Sequence, residues 1–252
     1  MPLCSAGLQL TTIRQGIKHL TIGERDAYGW IFDLVSSDAG RRRAALERHR
    51  VTLEASHEAQ HWINRVWAKA GTPVPREAHL AAEMDQARAA KRDADALTFF
   101  APINIWSVDW LIDATKHARY APYAVLFLEW ETMYPLEWRE AGTWSWSPWG
   151  TKEFILARFI RGGVPANSQQ SITDLVAAAL AREYRCKDWM YAPLARAVDG
   201  ACLRHRLSGL LDADDLLTRR RAAFVLQILE QPGLTVRRRT WQRWLAAQNA
   251  SR

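Results

Sequence analysis

Residues 39–70 read AGRRRAALERHRVTLEASHEAQHWINRVWAKA, and this stretch decides the fold. It is rich in Ala, Leu, Glu and Arg, which lose little conformational freedom in a helix, and it contains no proline. Gly71 and Pro73 follow at once and stop it. Arg50 and Glu54 stand four apart, the spacing of an ion pair along a helix surface. The spacing predicts one long helix over 39–70, and the neighbouring segments have the same character.

Upstream, 23–37 is expected to be helical. Downstream, Pro75 suits a first helical turn and 76–97 continues as an Ala-rich helix. A helix over 108–120 is expected to end before Pro122, and 124–139 to be helical with a break or kink at Pro135. Residues 152–161 form a short amphipathic pattern closed by Gly162 and Gly163. Four further helices are expected at 173–185, 191–207, 214–229 and 238–248. Asp212 or Asp214 is the candidate cap of the third, and Pro232-Gly233 its end. Residues 8–12 alone suggest a strand. The fold class is therefore all-α, a multi-helix bundle, with short helices in the C-terminal part spaced like stacked hairpins. The segment GVPANSQQ (163–170) reads as a linker. It divides a Trp-rich helical domain, 1–162, from a basic helical domain, 171–252, unless the two form one continuous unit.

Composition bounds the function. Hydrophobic residues are 48% and charged residues 24%, ordinary for a globular chain. The longest apolar stretch, YAVLFL at 123–128, is far short of the roughly 20 residues of a membrane span, so no membrane partner is expected. The first residues lack the pattern of a secretory signal. Cys4, Cys186 and Cys202 form no CxxC pair and are too few for a disulfide scaffold. The cytoplasm is the expected location.

Charge is informative by region. Residues 1–181 hold 20 Lys and Arg against 20 Asp and Glu, whereas 182–252 hold 14 against 7, so the whole excess of +7 lies in the last 71 residues. Arg219-Arg220-Arg221 and Arg237-Arg238-Arg239 lead into helices, and the second run continues to Trp241, Arg243 and Trp244. Arginine clusters interleaved with aromatics can neutralise phosphates and stack on bases. Arg182, Arg185, Arg204 and Arg206 extend the candidate patch, and Arg41-Arg42-Arg43 with Arg48 and Arg50 form a weaker second one diluted by acids.

Tryptophan is abundant: there are 13, ten of them between Trp30 and Trp149. Most suit the core of packed helices. The loop TWSWSPWG (143–150) differs, because Trp144, Trp146 and Trp149 among small polar residues form no amphipathic helix. Such a loop plugs onto the body of the protein or offers a stacking surface to a base, a sugar or a protein partner.

Two short strings bear on catalysis. His57-Glu58-Ala59-Gln60-His61 matches HExxH, which on a helix puts two imidazoles on one face with a glutamate between them. The string resembles the zinc metallopeptidase signature over these five residues. The resemblance implies zinc as cofactor, His57 and His61 as ligands and Glu58 as general base. Asp113 and His117, also four apart, are available as additional ligands. Zincins place a small β-sheet before this helix, and the preceding residues here read as helical. Arg14 and His19 form an R-x4-H string similar to that of HEPN-type helical ribonucleases. No Gly-rich phosphate loop, GxSxG elbow or Cys-based zinc cluster occurs. The leading expectation is a non-catalytic helical protein, without a cofactor, that binds nucleic acid or a nucleoprotein assembly through its Arg-rich C-terminal region. The alternative is a zinc-dependent hydrolase centred on His57, Glu58 and His61.

Overall fold

The computed structural model describes residues 27–109, 113–141 and 147–250. Among the described residues there is no strand, and the molecule is an all-α multi-helix bundle. The helices are α1 (Ala39–Ala70), α2 (Ala78–Ala96), α3 (Phe100–Asp109), α4 (Ala114–Met133), α5 (Pro135–Glu140) and α6 (Pro148–Gly162). They continue with α7 (Gln169–Ala181), α8 (Tyr191–Leu194), α9 (Ala201–Gly209), α10 (Leu216–Glu230) and α11 (Arg238–Ala250). No helix among the described residues is long and apolar enough to cross a membrane.

The long helix occupies the stretch that predicts it. Asp38 caps α1 by accepting from the backbone N–H groups of Gly40 and Arg41, and Gly71 ends it at φ 67°, a left-handed conformation that glycine adopts without strain. Its buried stripe (Ala45, His49, Leu53, Ser56, Ala59 and Val66) recurs at helical spacing and faces inward. The antiparallel partner is α2. Lys91 and Asp95 meet Ser56 near one end, and Glu83 meets Trp62 and Lys69 near the other.

Several boundaries differ from expectation. Within 23–37 the described turn is a 3-10 helix over Gly29–Val35. Three residues per turn place Ile31 above Leu34 and Phe32 above Val35, and all four are buried. Pro75 precedes α2 without entering it; Glu77 is the N-cap position. The 108–120 segment is divided: Phe100–Asp109 is a helix of its own, and Asp113 opens the next by accepting from the N–H groups of Thr115 and Lys116. The 191–207 segment is also broken, into α8, a 3-10 turn at Ala195–Val198 and α9. Asp215, rather than Asp212 or Asp214, caps α10. The 8–12 strand lies outside the described residues.

The central helix is α4, which runs through Pro122 where a stop was expected. Proline lacks the N–H that would reach the carbonyl of Ala118. Asn167 supplies the missing donor: its Nδ2 lies 2.8 Å from that carbonyl oxygen. Pro135 then ends the run and starts α5 from its first turn. Tyr123 to Leu128 are buried without interruption, so this helix is covered on every side rather than along one stripe. One contiguous set of buried residues extends from Ile31 to Leu229 and includes side chains on both sides of 163–170. Ser168, within that segment, is itself buried.

Candidate functional site

Most cations of the basic stretch are engaged by the fold itself. Lys187 pairs with Glu153 at 2.6 Å, Arg204 with Asp199 at 2.8 Å and Arg206 with Asp174 at 2.8 Å. Arg196 donates to the carbonyls of Ile228, Gln231 and Leu234, orphan acceptors at and beyond the C-terminal end of α10. Arg219 donates to the carbonyls of Ala213 and Asp214, and Arg220 is also engaged. Arg221 donates to the carbonyl of Arg182, with its guanidinium 5.9 Å from the ring centroid of Tyr184. The first arginine run is thus built into the joints around α10.

Arg237, Arg239 and Arg243 differ. All three are exposed and have no side-chain hydrogen-bond or ion-pair partner among the described residues. No acidic residue follows Glu230, so nothing nearby in sequence neutralises them. The backbone of Arg238 opens α11, while its side chain lies outside the described set. Trp241 and Trp244 stack on each other at 5.3 Å between ring centroids, and both pack on Phe224, at 5.0 and 5.5 Å. That packing anchors α11 to α10 and holds the arginines at the surface. Arg221 of α10 lines one cavity together with Arg237 and Trp241 from the start of α11.

The weaker N-terminal patch is mostly paired. Arg41 meets Asp33, Arg42 meets Glu137 and Arg50 bridges Glu47 and Glu54. Arg48 lies over the Trp30 ring at 5.3 Å.

The HExxH residues His57, Glu58 and His61 all lie on the exposed side of α1. Asp113 is occupied in capping α4. His117 is buried and stacks on Trp106, with centroids 5.8 Å apart and planes at 16°. Burial pushes its pKa below the usual histidine range, the nearby Arg158 adds to this, and the backbone of Gly163 opposes it. No group of three or more His, Cys, Asp or Glu side chains among the described residues is placed to hold a metal ion. Trp149 packs edge-on against Trp138 at 4.9 Å and lies over Lys152. Trp144, Trp146, Arg14 and His19 lie outside the described residues.

A buried ionic cluster escaped the reading of the sequence. Glu131 of α4 and Lys152 of α6 have no exposed side-chain surface, and Asp188 has almost none. Lys152 Nζ stands 2.6 Å from Asp188 Oδ1 and 3.3 Å from Glu131 Oε2. Arg182 bridges the same two carboxylates at 2.9 and 3.0 Å, and Arg185 reaches Glu131 at 3.1 Å. The other Asp188 oxygen accepts from the backbone N–H of Arg185 at 2.8 Å. Tyr191 lies against the cluster, and burial pushes its hydroxyl pKa up, reinforced by Glu131. Three cations face two carboxylates, so the group carries one net positive charge. Both carboxylates are met by cations at hydrogen-bond distance, the condition for holding them inside a protein, although Nε and Nη1 of Arg182 are buried without a hydrogen-bond partner.

No known family model matches this chain, and neither a curated protein nor a solved structure is detectably similar to it, so its function is argued from the geometry of these sites.

Proposed function

We propose that this chain is a non-catalytic nucleic-acid-binding protein whose contact surface is the start of α11. The observation that carries the reading is the exposure of Arg237, Arg239 and Arg243 without partners in an acid-free segment, while the other described arginines of the basic stretch are internally engaged. Guanidinium forks match phosphate oxygens in a bidentate way, and each phosphate neutralised releases condensed counterions. Phosphate contacts of this kind position a protein without reading sequence. The N-terminal end of a helix adds partial positive charge beside the same arginines.

The test is titration of the full chain against short fluorescein-labelled single-stranded RNA and duplex DNA, between about 50 and 200 mM salt. Affinity is expected to fall steeply with salt. The Arg237→Gln, Arg239→Gln, Arg243→Gln triple variant is expected to flatten the single-strand slope by about two units in log–log form, about 0.7 per phosphate contact removed. Salt-insensitive binding, or an unaltered slope in the triple variant, would overturn the reading.

A further inference from the structure

Beside α11 lies an open cavity of about 830 Å³, within the size range of small-molecule sites. Its inner wall is made by α7, α8 and α10, through Ala179, Leu180, Ala192, Phe224 and Val225, all buried. The space exists because Ala179 and Ala192 present methyl groups where larger side chains would fill it. Three large residues from two parts of the chain stand at its rim and remain exposed: Tyr184 at 52% and Trp189 at 47%, both between α7 and α8, and Leu217 of α10 at 44%. Apolar side chains grouped at the mouth of an apolar cavity mark a surface that gains by being covered.

The polar groups of the lining narrow the choice of occupant. Arg237 stands there without a partner among the described residues. Arg221 is held in place by the carbonyl of Arg182 and the Tyr184 ring, and it retains further N–H donors. Asp188, the acid of the lining, is nearly buried and its carboxylate is covered by Lys152, Arg182 and the N–H of Arg185. The cavity therefore offers an apolar interior with cationic donors and no unpaired carboxylate. A nucleobase would bury several polar edge groups with few partners, and a cationic amphiphile would meet two guanidiniums.

We propose that this cavity binds a small amphiphilic anion, an acyl or alkyl chain ending in a carboxylate or phosphate, with the chain against Ala179, Ala192 and Phe224 and the head on Arg237 and Arg221. The site goes beyond the nucleic-acid reading and does not depend on it. Trp189 and Trp241 line the cavity, so the intrinsic fluorescence of the full chain reports occupancy.

The experiment compares decanoate, decyl phosphate, decanol and decyltrimethylammonium by fluorescence titration and calorimetry. One anion per chain is expected, bound about tenfold more tightly than decanol, as a charge-assisted hydrogen bond implies, with the cation weakest. The better of the two anions identifies the head group. Arg237→Gln, at an exposed position, is expected to bring the anions down to the affinity of decanol and leave decanol unchanged. Ala192→Phe is expected to abolish binding of all four while oligonucleotide binding persists. Arg239→Gln with Arg243→Gln is expected to weaken oligonucleotide binding and leave decanoate binding intact. Equal affinity for the three head charges, no binding of either anion, or capture of an acidic amphipathic peptide without decanoate binding would overturn the proposal.

Discussion

Arg182 and Arg185, just after α7, and Arg237, Arg239 and Arg243, at the start of α11, come from the same basic stretch of sequence. The first two reach inward to Glu131, a carboxylate with no exposed surface, supplied by a helix about fifty residues earlier. The other three face outward and meet no acid among the described residues. What separates the two groups is not the arginine but what the fold brings to it. A regional charge excess counts side chains. A binding surface consists of those left over after the fold has used its share, and here that share is large.

The sharpest way to break this contrast is to remove the acid at the centre of the buried cluster. Glu131→Ala leaves Lys152, Arg182 and Arg185 with Asp188 as their one carboxylate in the cluster. Uncompensated buried charge of this kind costs about 3–5 kcal/mol. Urea unfolding followed by tryptophan fluorescence should show that loss, and the Glu131→Ala, Lys152→Met double variant should recover part of it. A loss below about 1 kcal/mol would mean that the cluster is hydrated and its charges behave like surface ones.

Another carboxyl of α4, the half-buried Glu129, gives a pH signature in the same region. Burial pushes Glu129 up to about 7, the carboxylate of Asp174 adds to this, and the Ser171 hydroxyl opposes it. Because the folded value lies above the unfolded one of about 4.5, the native state binds more protons across that interval. Stability is therefore greatest below pH 4.5 with respect to this group and declines as pH rises towards 7. Glu129→Gln should remove that decline from denaturation midpoints measured across pH 5–7.5, while other titrating groups keep their own slopes.

How much of this was legible in the sequence depends on whether the cause was local. The long helix was readable, because its helix-forming composition, the lack of internal breakers and the stop at Gly71 all act within a few residues. The all-α class follows from the same kind of signal. The passage of α4 through Pro122 was not readable, because the group that replaces the lost hydrogen bond, Asn167, lies 49 positions from its acceptor. The ionic cluster left a faint trace. Glu129 and Glu131 follow directly on the apolar run 123–128, and Lys152 shares a stripe with Ile155, Leu156 and Phe159 on α6. A charge on an apolar stripe signals a buried partner but does not say which residue it is. Tyr184 and Trp189 left no joint signal with Leu217, since only the fold brings the segment between α7 and α8 to one rim with α10. The HExxH string shows the converse: its spacing is helical and its residues share a face, but the face is exposed and no further donors converge on it among the described residues.

The Pro122–Asn167 pair offers a smaller and cleaner test of non-local compensation. Asn167→Ala leaves the Ala118 carbonyl without its 2.8 Å donor, at a cost of about 1 kcal/mol in a partly buried setting. Pro122→Ala restores an N–H that can reach the same carbonyl. The double variant should therefore be more stable than Asn167→Ala alone, and the departure from additivity measures the shared acceptor. Additive effects would show that the two residues act independently.

The smallest expected effect completes the contrast. Replacing Arg237, Arg239 and Arg243 with Gln should change the unfolding free energy by no more than about 0.5 kcal/mol, because exposed side chains without partners contribute little to the folded state. Their anchor is separate: Trp241 and Trp244 on Phe224 hold α11 whether or not the arginines are present. If the triple variant lost several kcal/mol, these arginines would be structural after all, and the difference between the two groups would be one of degree. If stability holds while oligonucleotide affinity falls and its salt slope flattens, the same residues are dispensable for folding and required for binding, which is what a surface kept for a partner predicts.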